Sequence, residues 1–323
     1  MPTSDPAVRR TVLAVPGSSD RFLTKALGLP ADVVFLDLED AVAPAAKESA
    51  RARIVEYLHK DWAAPTVTVR VNDWTTSWTY QDVVAVVSGA GSRIDALVLP
   101  KVQDADHIRA LDLLLTQVER THRLPVGRIG IEAQIEDARG LLNAEAIAGA
   151  SARMRSLVYG PGDFAASMGM PGLNIGAQPA GYEIADAFHH VLMTILVAAR
   201  AHGLAAIDGP YVAIRDVDGF VASARRSAAL GYDGKWVLHP AQIDAGNQVF
   251  CPDQASYDRA VRIMARYAEA TSQAGGAVGA IVVDEEMVDE AGMKLAAVVA
   301  ARGRAAGMAP SGQAGTAPEQ EDD

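Results

Sequence analysis

Eight short runs rich in Val, Ile, Leu and Ala recur along the first 240 residues, and stretches of helical periodicity separate them. The runs are Thr11–Val15, Val33–Leu38, Thr66–Val71, Ala96–Leu99, Ile129–Ile135, Ser156–Tyr159, Ala205–Ile207 and Lys235–Leu238. Near-continuous apolar character, without polar alternation, is the pattern of strands buried on both faces. The intervening stretches, such as Ala105–Thr121 and Tyr182–His202, read as helices. Strand–helix alternation calls for parallel strands joined by right-handed crossovers. Eight such units predict a closed (β/α)8 TIM barrel. The structural rival is a doubly wound open sheet, but the chain lacks the GxGxxG turn after a first strand that marks one such fold.

The residues that follow each run are Pro16-Gly17-Ser18, Asp37-Leu38-Glu39-Asp40, Arg70-Val71-Asn72, Pro100-Lys101, Glu136, Gly160-Pro161-Gly162-Asp163, Asp208-Gly209-Pro210 and His239-Pro240. A barrel places its active site at this end of its strands. One polar loop is simply a turn with a capping residue; charged residues and tight turns on nearly all eight point to a site. Two of these runs end on carboxylates, Glu136 and Asp163, 27 residues apart. That interval is about one strand-plus-helix unit, so parallel strands bring the two acids side by side. Two hard oxygen ligands converging on a cleft suit a divalent ion such as Mg²⁺. The alternatives are a helix cap for Asp163 and a solvated helix start for Glu136, with Glu132 and Asp137 as neighbouring acids.

Composition narrows the partners. Half the 323 residues are apolar and 21% are charged, enough for a sizeable core, and the net charge of −11 argues against nucleic acid and anionic membranes. An anionic small molecule needs only a few local cations. The single cysteine, Cys251, allows no internal disulfide and no CxxC metal site, as expected in a reducing cytoplasm. No run reaches the length of a membrane span, and MPTSDPAVRR lacks the apolar segment of a signal peptide, so a cytoplasmic protein is expected. The seven histidines form no HExxH, which argues against zinc.

Residues 1–250 are therefore expected to form the barrel. Gln254–Ser272 reads as a further helix, Gln273–Gly276 as a flexible break, and VGAIVVDEEMVDEAGMKLAAVVAARGRA as a strand-like piece leading into a helix. Residues 251–305 make a C-terminal extension, and 306–323 read as a disordered tail.

Taken in order, LAVPGSSDRFLTKAL, VVFLDLEDAVAPAAKESAR, TVRVN, ALVLPKV, QIEDARGL, VYGPGDFAASMGM, AIDGPYVAIRD and GYDGKWVLHPAQI resemble the citrate lyase β-subunit-like branch of the HpcH/HpaI aldolase superfamily. The resemblance runs from about Arg10 to Phe250 and resumes at VVDEEMVDEAGMKLA. It implies a TIM barrel, commonly trimeric or hexameric, that makes or breaks a carbon–carbon bond in hydroxyacyl-CoA thioesters such as malyl-CoA, citramalyl-CoA or citryl-CoA. The partners implied are an acyl-CoA and a small oxo acid, and the cofactor is Mg²⁺, with Mn²⁺ as the alternative ion. By the same resemblance Glu136 and Asp163 are the metal ligands, and Arg70 holds the oxo-acid carboxylate and faces charge on the thioester oxygen. Arginine's planar fork suits a carboxylate. Glu39 and Asp40 stand near the metal and orient waters and Arg70, while Asp37 is a buried structural acid. Gly17, Ser18, Arg21, Lys25 and Lys101 are expected around the CoA phosphates or adenine. Gly162 belongs to the substrate-binding set, and Asp208 and Pro210 border the pantetheine channel. Asp284 lies on a C-terminal lid over a neighbouring subunit's site as the proton-transfer group; the motif departs slightly from the family's, leaving Asp284 and Glu285 as alternative registers. A malyl-CoA thioesterase on the same scaffold and a non-catalytic CoA-binding protein are the competing readings.

Overall fold

A computed structural model describes residues 8–170, 172, 174–179, 181–182, 186–272, 276 and 278–311. Two compact units divide the chain, one spanning Arg9–Phe250 and the other containing Val8 and the residues from Cys251 onward.

In the first unit, eight parallel strands close into a barrel in sequence order: β1 (Thr11–Pro16), β2 (Val33–Asp37), β3 (Thr66–Arg70), β4 (Ala96–Leu99), β5 (Gly130–Ile135), β6 (Met154–Tyr159), β7 (Ala205–Asp208) and β8 (Gly234–Val237). Pairing of Thr11 with Lys235 and Val12 with Trp236 closes the ring, and the open sheet is excluded. All eight lie within two residues of the expected runs. Of the helix expected over Tyr182–His202, His189–Ala201 is helical, and residues 183–185 lie outside the described residues. Ahead of it the Asp186 carboxylate accepts from Phe188 N, 3.0 Å, in a turn.

Strand alternation sorts the side chains into two apolar layers. Val12, Val33, Phe35, Val98, Val158, Ile207 and Trp236 point inward and fill the barrel. Their neighbours Leu13, Val34, Leu36, Val69, Leu97 and Ile131 point outward and pack with Leu23, Ile54, Val86, Ile108 and Leu192 of the helices. Polar residues replace apolar ones at the inward positions of β5, namely Glu132, Gln134 and, just past the strand, Glu136. Glu132 pairs with Arg9 inside the barrel, both buried, and so is excluded as a cleft carboxylate.

The second unit holds a helix over Gln254–Thr271, an antiparallel hairpin of β9 (Ile281–Val283) and β10 (Glu286–Val288), and a helix over Glu290–Ala305. A strand-like piece before the last helix was expected; the hairpin adds a second strand. Both turn residues, Asp284 and Glu285, have positive φ of 50° and 66°, as a two-residue hairpin turn of this hand demands. Ala260, Ile263, Val283, Val288, Ala296 and Ala300 form this unit's own core. Of the expected break, Gln273–Gly275 lie outside the described residues, as do 312–323 of the expected tail. Among the described residues no helix is long and apolar enough to cross a membrane.

Candidate active site

The acid loop after β2 and the end of β3 form one ionic unit. Asp37 and Arg70 are paired across the strands in register, so both side chains rise from the same barrel level. Arg70 Nε and Nη2 donate to the two Asp37 oxygens at 2.7 Å each, and Nη1 lies 2.9 Å from Glu39 Oε2. Of the five guanidinium N–H groups the Asp37 hydrogen bonds engage two, while the Glu39 contact is ionic without an aligned N–H. Beneath, the guanidinium carbon sits 5.5 Å from the Phe35 ring and 5.4 Å from the Trp236 ring. Those rings, 4.4 Å apart, form an aromatic floor favourable to a cation. The Asp37 pair fixes the orientation of Arg70, which lines the cleft.

Glu136 stands immediately after β5 and is 2% exposed, which excludes the solvated helix start. Its Oε1 accepts Lys101 N at 2.6 Å, and its Oε2 accepts Gln134 Nε2. Gly160 makes room for it, since a Cβ there would strike the Glu136 side chain. Asp163 lies in the first turn of the helix Pro161–Ser167, its side chain half exposed and without a side-chain capping bond. The neighbouring Asp137 is the capping residue, accepting Gly140 N at 2.6 Å at the start of the helix Ala138–Leu142.

Lys101 was expected beside the CoA phosphates; its ammonium instead sits among carboxylates. It donates to Glu39 Oε1 and lies 3.5 Å from Asp40 and 4.0 Å from Asp163. A backbone φ of 51° aims it there, and opposite charge holds it.

The electrostatics follow from burial. Burial pushes the Glu39 carboxyl up to about 7, with Asp40 adding to the rise and Arg70 and Lys101 offsetting only part. Burial, then the charges of Glu39 and Asp163, push Glu136 well above the carboxylate range. Asp37 is held below that range because Arg70 and two backbone N–H groups outweigh its burial.

Arg70, Asp40, Glu136, Gly162, Asp163 and Pro210 line one cleft of about 430 Å³ at the C-terminal mouth. A second cleft of about 340 Å³ adjoins it through Ala14, Val15, Pro16 and Leu238. Exposed Arg21 and Lys25 line this second cleft with Phe22 and His239. Gly17 shapes the turn between them, because its N–H meets Asp37 O at 2.9 Å and any Cβ would come within 2.8 Å of that oxygen. Ser18 lines neither cleft, and the helix cap is Ser19.

Asp208 also lines neither cleft. Ile207 and Trp236 point into the barrel, so Asp208 and Lys235 point outward, where they pair at 2.6 Å with exposures of 2% and 1%. Period-two alternation is the reason that the channel position expected for Asp208 does not hold.

No group of three His, Cys, Asp or Glu side chains gathers to hold a metal among the described residues. Two carboxylates nevertheless fit a hard dication that keeps most of its water. Glu136 and Asp163 repel one another across the cleft, and buried Glu39 Oε2 and Gln134 Oε1 have no aligned donor. A dication and its bound waters would satisfy both conditions.

Sequence reasoning missed Phe35 and Trp236. Each lies on the inward stripe, Phe35 two residues before Asp37, and that spacing was the available signal. Ile175 lines the first cleft, whereas Met168 and Met170 do not. In the second unit, Asp284 Oδ2 accepts from Arg262 Nη2 at 3.2 Å and Arg259 Nε at 3.3 Å. Arg262 foremost, then Arg259, keep its carboxyl below the ordinary value.

The pattern of the HpcH/HpaI aldolase/citrate lyase family matches residues 10–240. The L-malyl-CoA/beta-methylmalyl-CoA lyase of Cereibacter sphaeroides is 38% identical over 302 residues, covering 90% of this chain and 93% of the relative. The (3S)-malyl-CoA thioesterase of the same species is 37% identical over 87% of this chain and 89% of its own length. A crystal structure of CitE from Mycobacterium tuberculosis, in complex with magnesium, acetoacetate and coenzyme A, superposes with a TM-score of 0.70 at 29% identity, covering 94% of this chain and 99% of that one. The chain belongs to the HpcH/HpaI aldolase/citrate lyase family.

Proposed function

We propose that the protein is a Mg²⁺-dependent carbon–carbon lyase that cleaves or forms a 3-hydroxyacyl-CoA, with malyl-CoA and β-methylmalyl-CoA as the first substrates to test. The lyase class follows from the family and from relatives so named. One observation carries the chemistry: Glu136, Asp163 and Arg70 line a single cleft, and a cleft bearing Arg21 and Lys25 adjoins it. Glu136 and Asp163 would hold the Mg²⁺, for which Mn²⁺ is the substitute ion. The metal would supply Lewis acidity toward the oxo-acid oxygens.

The chain's own groups do the rest. Arg21 and Lys25 attract the CoA phosphates. In cleavage, Asp284 from a neighbouring subunit takes the substrate hydroxyl proton, exchanging its contacts with Arg262 and Arg259 for the substrate. The carbon–carbon bond breaks, its electron pair passing to the thioester enolate. Arg70 donates to the enolate oxygen, and return of the proton held by Asp284 to the enolate carbon gives acetyl-CoA or propionyl-CoA beside glyoxylate. Donors fixed in advance by the Asp37 pairing need little rearrangement as charge develops. Asp284 acting in trans requires an oligomer, and we take the working unit to be a homotrimer or a hexamer. A lone, half-buried Cys251 fits a cytoplasmic setting.

Asp163→Ala should abolish Mg²⁺-dependent release of glyoxylate from malyl-CoA. Wild-type turnover by that variant at saturating metal would sink the assignment. The 37% identical thioesterase sustains a second reading, hydrolysis of malyl-CoA. Free CoA and malate, in place of acetyl-CoA and glyoxylate, would establish it.

A further inference from the structure

We infer that Lys47 is a positioning residue for the reaction: a buried ammonium that fixes the backbone of the acid loop and so sets where Glu39 meets Arg70 and Lys101. The inference rests on the lyase reading only for its kinetic consequence.

Lys47 opens the helix Lys47–Leu58, yet it is 5% exposed. A cation in a first helical turn opposes the helix dipole, and burying an ammonium is costly, so local stability does not explain it. Its contacts do. Lys47 Nζ donates to Leu38 O at 2.8 Å, to Glu39 O at 2.8 Å and to Asn72 Oδ1 at 2.6 Å. An ammonium has three N–H groups, and these three acceptors use them all. Trp78 closes over it with its ring centroid at 5.1 Å.

Behind this contact lies a second tier. Asn72 Nδ2 also donates to Leu38 O, 3.1 Å, and to Asp82 Oδ2, 2.6 Å. Arg51 Nε and Nη2 clamp Asp82 Oδ1 at 2.9 and 2.8 Å. Helix, strand end and acid loop are thus joined through one lysine. From the other side, Asp37 Oδ1 accepts Glu39 N at 2.9 Å and its Oδ2 accepts Ala41 N at 3.1 Å. The Leu38–Glu39 backbone is therefore held at both edges.

That grip determines a side chain in the cleft cluster. With its backbone pinned, Glu39 places Oε2 2.9 Å from Arg70 Nη1 and Oε1 on the Lys101 ammonium. Lys47 touches no cleft-lining side chain, and its charge lies behind a loop that carries Asp37, Glu39 and Asp40. Without it, Leu38 O keeps only the Asn72 amide and Glu39 O only the Val42 N–H, and three neighbouring acids lose a counter-charge. The loop then relaxes, and Arg70 loses its fixed partner at Glu39.

The test pairs Lys47→Met with hydrogen–deuterium exchange of the intact protein and steady-state kinetics on malyl-CoA. Amides of residues 38–43 should exchange at least tenfold faster, with the barrel strands protected as in the wild type. The kcat should fall at least thirtyfold, while KM for the thioester stays within threefold because Arg21 and Lys25 are untouched. Loop exchange or kcat within threefold of the wild type would overturn the inference, and so would loss of protection throughout the barrel. Should K47M fail to accumulate folded, Asn72→Ser decides on the same readouts: faster loop exchange with a kcat loss supports the inference, and wild-type values overturn it. A wild-type protein that does not turn over malyl-CoA refutes the lyase reading instead, and loop exchange alone then decides for Lys47.

Discussion

Replacing Asp208 by alanine tests the assignment of that residue to the wall between barrel and helices. The change strands the Lys235 ammonium at 1% exposure, opposite the place of its 2.6 Å partner. Breaking a buried pair from one side costs about 3–5 kcal/mol. An independent bound agrees: the lysine can escape by losing its proton, and from an ordinary pKa of 10.5 this costs about 5 kcal/mol at pH 7, at about 1.4 kcal/mol per pH unit. Burial already pulls the Lys235 pKa down in the paired state, which favours that route. For a unit of this size, 3–5 kcal/mol lowers Tm by roughly 8–15 °C. The sign with pH follows from linkage. In the variant the unfolded chain keeps a proton on Lys235 that the folded chain gives up, so stability rises with pH. By pH 9 the bound shrinks to about 2 kcal/mol. Thermal unfolding at pH 7 and pH 9, with the Asp208→Ala/Lys235→Met double variant, checks all of this. The double variant should recover most of the loss, because it leaves no unpaired charge. A Tm within 2 °C of the wild type at pH 7, a penalty that grows toward pH 9, or an unchanged Tm with a tenfold rise in KM for the thioester would refute the reasoning. The last result would return Asp208 to the channel.

Three further outcomes are expected. Mg²⁺ binding measured by calorimetry should weaken at least tenfold from pH 7.5 to pH 5.5, because Glu39, pushed up to about 7, takes up a proton over that range beside Glu136, whose burial also favours its protonated form. The same shift means that the metal-free protein loses stability as pH rises from about 4.5 to about 7, by up to about 3 kcal/mol from Glu39; a Mg²⁺ affinity flat across that range would contradict both statements. Gly160→Ala should fold but bind Mg²⁺ far more weakly, since the added methyl group displaces the Glu136 carboxylate; an unchanged Kd would remove Glu136 from the proposed site.

The eight-run pattern alone determined the barrel, its strand boundaries to within two residues, and the end at which the loops gather. It did so because strands buried on both faces must be apolar along their whole length, a property written locally in the chain. Arg70, Glu136 and Asp163 were legible for the same reason, as polar residues that end apolar runs. Direction was harder to read. Lys101 and Asp208 also follow strands, yet one turns into the acid cluster through a positive φ and the other turns outward onto Lys235. Lys47 and Asn72 carried no local signal, because their acceptors lie on other segments and become neighbours only when β2, β3 and the following helix pack. Local sequence specifies which faces are apolar; only tertiary packing brings the cations to the carboxylates and carbonyls that fix the acid loop.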